Sequence, residues 1–289
     1  MQSSDTIGAK AAPPADADEP GPSAARAARP RPVGRPAMDR PPAETLLEET
    51  AADGIRVLTL DRPQRRNALD SGLTQALIEA VRRADADAGI GAVVIAGNGP
   101  TFCAGADLGE FRGERADPVA ESRRSDLFAE LQLLFAEVRV PTIAAVQGQA
   151  IGAGASLAIA ADLTLLAQDA TLVYPEVRHG MVPGLMIPVL QHRLGRKRAY
   201  ELLALAAPLG AAEALALGLA NELVPPGELM PLALRRARTL AGTDRAALRE
   251  TKRLLEEMAG MPLGDAVRHA RESSRRRRDA PPGAGGGTN

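Results

Sequence analysis

Between residues 45 and 187 the spacing of apolar positions switches repeatedly, from short unbroken apolar runs to apolar residues recurring at helical intervals. Residues 45–49 and 55–60 read as two strands joined at Asp53-Gly54, a strong short-range hairpin signal. Residues 91–96 (Gly-Ala-Val-Val-Ile-Ala) and 142–146 (Thr-Ile-Ala-Ala-Val) are almost wholly apolar, which predicts buried strands. Ser71 can cap a helix that carries Leu73, Leu77, Ile78 and Val81 at helical spacing. A second helix is predicted over 119–138, with Leu127, Leu131, Leu134 and Phe135 on one face and Pro141 as its stop. Short strands follow at 163–167 and 171–173, and from Ile187 onward the pattern is mostly helical apart from 221–224. Strand-rich first and helix-rich last, this alternation supports an α/β class and nothing finer.

Two of the predicted strands break in the same way. The first is followed by Phe102-Cys103-Ala104-Gly105-Ala106-Asp107-Leu108 and the second by Gly148-Gln149-Ala150-Ile151-Gly152-Ala153-Gly154. Gly and Ala side chains are too small to hide the backbone. The second break runs straight into a helix-like stretch over 153–161, and the first makes at least a helical turn. Two small-residue segments at strand ends, each exposing N–H groups, are what an oxyanion hole requires. Either segment alone would read as tight helix–strand packing.

Taken in order, these segments resemble the crotonase superfamily, the enoyl-CoA hydratase/isomerase family. Residues 57–63 (Val-Leu-Thr-Leu-Asp-Arg-Pro) with Asn67-Ala68-Leu69 are similar to its strand, Arg-Pro turn and Asn-Ala-Leu segment. Residues 103–108 and 145–162 resemble its Gly-rich strand-to-helix region. Tyr174-Pro175-Glu176-Val177, Gly180 and Val182-Pro183-Gly184 resemble its Pro-Glu segment and the Gly-Pro-Gly turn after it. Gly195-Arg196 and 211–224 resemble the helix and strand that follow. Each motif is weak alone, and their order and spacing carry the resemblance. It implies a spiral of β-β-α repeats ending in a C-terminal helical trimerisation region, with a catalytic domain over 45–260 whose helical part begins at about 187. Assembly as a homotrimer or a dimer of trimers is implied with it.

The resemblance also implies a chemistry. Moving a proton at the α-carbon of a CoA thioester passes through an enolate-like thioester oxygen, which two preorganised N–H donors stabilise. By resemblance the donors are the backbone N–H groups of Ala106 and Ala153, and the acid/base is Glu176. Hydratases of the family place a further Glu in the helix after the Gly-rich turn. Here that position is Ser156, whose hydroxyl cannot act as a carboxylate base. One carboxylate suffices for a 1,3-proton shift, because it can return the proton two carbons away. It can also serve hydration if Ser156 and a backbone group hold the water. The expected reaction is therefore hydration or double-bond isomerisation of an enoyl-CoA. The alternatives are an aryl-propenoyl-CoA hydratase-lyase and a catalytically weak fold with a binding role. Gly184 stands where dienoyl-CoA isomerases carry an Asp, which argues against that activity.

Candidates for holding the CoA moiety are Arg62 and Arg66 (with Arg65), the backbone at Ala68 and Ala104, and Lys252. Asp107 stands among them as the cap of the helix that forms the hole. No permanently bound cofactor is expected, CoA arriving as part of the acyl-CoA thioester substrate. The family's closing C-terminal sequence is replaced by Ser273-Ser274 and four arginines, Arg275 to Arg278. Phe111, Leu127, Met181, Leu185 and Met186 are candidates for setting acyl-chain specificity.

Competing motifs fail on inspection. Gly154-Ala155-Ser156-Leu157-Ala158 misses G-x-S-x-G at its last residue, and no ordered triad follows. Leu157 likewise replaces the third Gly of a dinucleotide fingerprint. Cys103 reads as a small buried residue, His179 as a pocket or turn residue, and three scattered histidines have no metal-site spacing, so no metal is expected.

Of the 289 residues 45% are hydrophobic, enough for a sizeable core, and only 2% are aromatic, so that core is aliphatic. A net charge of −1 gives no electrostatic argument for nucleic acid or an anionic membrane, and the Arg275–Arg278 run reads as a solvated helix end. One cysteine excludes an internal disulfide framework and fits a cytoplasmic setting. No apolar run approaches the ~20 residues of a membrane helix. Residues 1–44 are Ala-, Pro- and Arg-rich with few large apolar side chains, the composition of a disordered extension, and Met38 is an alternative start of translation. Residues 261–289 read as an Arg-rich helix end and a Pro/Gly-rich tail.

Overall fold

Leu46–Ala51 (β1) and Ile55–Leu60 (β2) pair as an antiparallel hairpin, with Leu46 opposite Leu60 and Ala51 opposite Ile55. In the computed structural model, which describes residues 45–110 and 117–279, this hairpin opens a six-stranded sheet. The residues 1–44, Phe111 and the tail from 280, on which the sequence carried expectations, lie outside the described residues. Ala92–Gly97 (β3), Thr142–Val146 (β4), Leu163–Ala167 (β6) and Glu222–Val224 (β9) continue the sheet in that order, all parallel.

The central strands β3 and β4 are buried on both faces, which is why they read as unbroken apolar runs. Val93, Ile95, Ala144 and Val146 point into one apolar cluster, which includes residues of Ser71–Ala86 (α1), Pro118–Glu137 (α2) and Ala153–Ala160 (α3). Their alternate neighbours Ala92, Val94, Ile143 and Ala145 meet Leu229, Leu232, Ala233 and Ala237 of Leu229–Ala241 (α6). Each fully buried Val or Ile contributes about 1.5–3 kcal/mol, so the period-two alternation decides which helix docks on which face.

Of a second, three-stranded sheet the hydrophobic pattern showed only the strand at 171–173. Gln149–Ile151 (β5) pairs in parallel with Thr171–Val173 (β7), which pairs antiparallel with Leu209–Gly210 (β8). These strands are too short to show a period, yet β5 fixes the Gly-rich turn against the segment that carries Glu176. Met186–Leu205 (α4), Ala211–Ala216 (α5), Arg245–Met258 (α7) and Leu263–Asp279 (α8) supply the helical C-terminal part.

The cap of α1 is Asp70 rather than Ser71. Asp70 Oδ1 accepts the Leu73 N–H at 2.7 Å, and Ser71 is the first helical residue. A carboxylate is favoured over a hydroxyl here because it also carries an ion pair to Arg62 at 2.9 Å. In α2, Asp117 takes the cap with Pro118 as the first helical residue.

Two cations proposed above for CoA are spent inside the fold. Arg62 is 3% exposed, pairs with Asp70 and with Asp107 (3.0 Å), and donates to the Ala68 carbonyl at 2.7 Å. A guanidinium matches such convergent acceptors, and its burial removes it from reach of a ligand phosphate. Lys252, on α7, lies 2.7 Å from Asp162 Oδ2 and 3.3 Å from the Val140 carbonyl. The same Asp162 oxygen accepts the Thr142 N–H and hydroxyl at 2.8 Å each, so Lys252 fastens α7 to the start of β4. Lys252→Met is expected to cost about 1–3 kcal/mol, the worth of a charge-assisted bond with a partly exposed partner. Thermal melts should fall by several degrees while KM for an acyl-CoA stays unchanged. A raised KM with an unchanged Tm would return Lys252 to the ligand.

Candidate active site

Two glycines bring the two small-residue segments into backbone contact, and a third brings the second segment against Glu176. Gly105 has a φ of +81°, and a Cβ there would lie 2.5 Å from the Ile151 carbonyl oxygen and 3.3 Å from the Ala153 nitrogen. At Gly154 it would lie 2.4 Å from the Cys103 carbonyl oxygen. At Gly152, with a φ of +52°, it would lie 2.2 Å from Glu176 Oε1. Only unsubstituted backbone fits these approaches.

The N–H groups of Ala106 and Ala153 are set by their neighbours. Leu69 donates to Gly105 O at 2.7 Å and accepts from the Asp107 N–H at 2.9 Å. Ala106, lying between those two bonds, directs its own N–H away from Leu69. Ala153 is the first residue of α3 and 3% exposed, and its N–H belongs to the turn that has no intrahelical acceptor. Gly152 precedes it without a side-chain cap, while its carbonyl accepts the Ser156 N–H at 3.0 Å. The positive end of the α3 dipole therefore coincides with this turn. Asp107 secures the other segment, accepting from the Gly109 N–H at 2.9 Å through Oδ1 and from Arg62 through Oδ2.

Glu176 follows β7 and begins the turn Glu176–His179, which Gly180 closes in the left-handed region. Its Oε1 lies against Gly152, while Oε2 is buried and has no hydrogen-bond partner among the described residues. Burial pushes its pKa above the ordinary glutamate value, opposed in part by its own backbone N–H and by the charge of His179. His179 itself is exposed on the turn.

Two further buried oxygens in this neighbourhood have no aligned hydrogen bond among the described residues, Ser156 Oγ and the Tyr174 hydroxyl. Ser156 is 0% and Tyr174 2% exposed. Burial pushes the Tyr174 phenol well up, the adjacent Ser156 hydroxyl pulls it back, and the charge of Glu176 raises it again. Ser156 and Tyr174 thus adjoin, and Glu176 lies near enough for its charge to act on the phenol. The sequence singled out Ser156 and Glu176 but missed Tyr174 and Gly152. The signal for Tyr174 was present: it stands two residues before Glu176 at a strand exit, in a chain with two tyrosines.

The remaining candidates separate. Arg65 and Arg66 are exposed beside Ala68, and the Ala104 N–H donates to Arg66 O at 2.9 Å, so this cluster forms one rim next to the segment 103–107. Cys103 is fully buried, and burial pushes its thiol up to about 12, which makes it a packing residue rather than a nucleophile.

Comparisons with known proteins identify the family. The sequence model of the enoyl-CoA hydratase/isomerase family matches residues 50–274. A Thermus thermophilus protein named as an enoyl-CoA hydratase is 38% identical over 219 residues, covering 75% of this chain and 86% of that protein. The crystal structure of an enoyl-CoA hydratase of Mycobacterium smegmatis superposes with a TM-score of 0.77 at 30% identity, covering 82% of this chain and 92% of that one. An enoyl-CoA hydratase subunit of Geobacillus kaustophilus superposes with a TM-score of 0.75 at 30% identity, covering 82% and 90%. An α/β fold with a crotonase-type architecture and this match over most of its length define the class: the chain belongs to the enoyl-CoA hydratase/isomerase family. Among the described residues no helix is long and apolar enough to cross a membrane.

Proposed function

We propose that this chain acts on an enoyl-CoA, with Glu176 moving the proton and the N–H groups of Ala106 and Ala153 holding the thioester oxygen. The observation that carries the reading is the contact of the Glu176 carboxylate with Gly152, the residue that opens onto the Ala153 N–H. A thioester oxygen between the two N–H groups puts its α-carbon next to the Glu176 carboxylate at that turn. As negative charge builds on the oxygen, two fixed donors at a helix N-terminus meet it with no reorganisation, each worth on the order of 10²–10³ in rate.

The raised pKa of Glu176 suits both halves of the task. A carboxylate with an ordinary pKa takes a proton poorly near neutral pH, whereas a buried one binds and releases it with smaller loss. The same group can therefore serve addition of water across the double bond or a 1,3-proton shift, since both pass through the same enolate. The exposed Arg65 and Arg66 on the rim are suited to the CoA phosphates, in place of Arg62 and Lys252.

Mass spectrometry of thioesters after incubation with a 2-enoyl-CoA and, separately, a 3-enoyl-CoA tests the reading. A product heavier by one water, or a new species of unchanged mass, is the expected outcome. Release of free CoA without either product would favour a hydrolase and overturn it.

A further inference from the structure

We propose that Ser156 and Tyr174 together form a water-binding pair that replaces a second carboxylate, so that the reaction of this site is hydration. The inference rests on Glu176 being the base, as argued above, and adds a role for Tyr174 that the sequence did not suggest.

An unsatisfied buried polar group is costly, and native folds keep few of them. Here Ser156 Oγ, the Tyr174 hydroxyl and Glu176 Oε2 all retain unspent hydrogen-bonding capacity in one neighbourhood among the described residues. Phenylalanine at 174 and alanine at 156 would pack the same space without that cost. Placement reinforces the reading. The Ser156 N–H bonds the Gly152 carbonyl, one helical turn back, and Gly152 abuts the Glu176 carboxylate. Tyr174 and Glu176 are separated only by Pro175 at the exit of β7.

The hydrogen-bond inventory of one water fits these three groups. One water hydrogen is donated to Glu176 Oε2 and the other to Ser156 Oγ. The Tyr174 O–H, which burial keeps protonated, donates to one water lone pair. The remaining lone pair is left for the β-carbon of the enoyl thioester. In the addition the O–H bond to Glu176 breaks, and its proton passes to Oε2 while the oxygen bonds the β-carbon. The π electrons move to the thioester oxygen, held by Ala106 and Ala153. Protonated Glu176 then returns the proton to the α-carbon, so one water is consumed and no other reactant is needed.

The test compares wild type with Tyr174→Phe and Ser156→Ala in two reactions. One is hydration of short- and medium-chain 2-enoyl-CoA thioesters. The other is the double-bond shift of a 3-enoyl-CoA, in which Glu176 takes a proton and returns it two carbons away, so that the base and the hole are needed but no bound water. Both variants should lose hydration by about tenfold or more, the effect of removing one hydrogen bond to a reacting group, while the double-bond shift stays within about twofold. Since Tyr174→Phe keeps the volume and the double-bond shift reports a correctly built site, a folding defect would show as a fall in both. Unchanged hydration in the two variants overturns the pair, as does a parallel fall of hydration and double-bond shift. A wild-type double-bond shift without wild-type hydration overturns the pair and leaves Glu176 as the base. Absence of both reactions in the wild type overturns the base assignment as well.

Discussion

Glu176→Gln should abolish nearly all turnover and at the same time stabilise the protein at neutral pH. The substitution keeps shape and volume but removes the group that accepts and returns the proton, a contribution of typically 10²–10⁴ in rate. Its effect on stability follows from the direction of the pKa shift. Burial raises the native pKa of Glu176 above its unfolded value, so the native state holds the proton more tightly. That preference contributes fully below the unfolded pKa and is lost as pH rises through the native one, beyond which the fold carries a poorly solvated carboxylate. Glutamine avoids this cost, so the variant should melt higher than wild type at pH 7. The difference should vanish toward the acid side of the ordinary glutamate range. The acid limb of the wild-type pH–rate profile should lie above that range for the same reason, because the working base is lost when Glu176 is protonated. Calorimetry at two pH values, beside steady-state rates, checks both signs at once. An inactive variant that melts lower at pH 7 would make Glu176 a structural anchor.

The second large effect is expected at a residue with no functional atom in its side chain. Gly152→Ala would place a Cβ 2.2 Å from Glu176 Oε1, at a backbone conformation with φ +52° that costs a side-chain-bearing residue about 1–3 kcal/mol. Either the carboxylate swings away or the turn rotates, and the latter carries the Ala153 N–H with it. Misdirecting one donor costs on the order of 10²–10³ in kcat, and displacing the base adds to that. Ala153→Gly is the control: it keeps the N–H and should retain activity within a few-fold. Equal losses in the two variants would mean that helix stability, rather than the approach of Gly152 to Glu176, limits the rate.

How far the sequence carried these conclusions depended on whether a residue's role is local. Buried strands β3 and β4 were legible because two-sided burial leaves an unbroken apolar run, and the α1 and α2 stripes because amphipathic periodicity is a local property. The close approach of the two small-residue segments was legible because glycine and alanine cluster where backbone must approach backbone. Arg62 was not: an arginine in a turn reads as a solvated charge, and only the fold brings Asp70 and Asp107 to it. The pairing of Lys252 was hidden for the same reason, its partner Asp162 lying 90 positions away in sequence. Asp70 and Ser71 are adjacent and both are good caps, so only the backbone decides between them. Strand β5 is three residues long and shows no period, and with it the relation of Gly152, Ser156 and Tyr174 stayed hidden.

The most direct test of the central claim is α-proton exchange. A saturated acyl-CoA incubated with the protein in heavy water should gain deuterium at the α-carbon, and Glu176→Gln should stop that gain. Exchange needs an enolate held by the Ala106 and Ala153 N–H groups, a base beside its α-carbon and solvent that trades deuterium with that base, with no double bond and no choice between hydration and isomerisation. Deuterium uptake that persists in Glu176→Gln, or none in the wild type, would contradict the account.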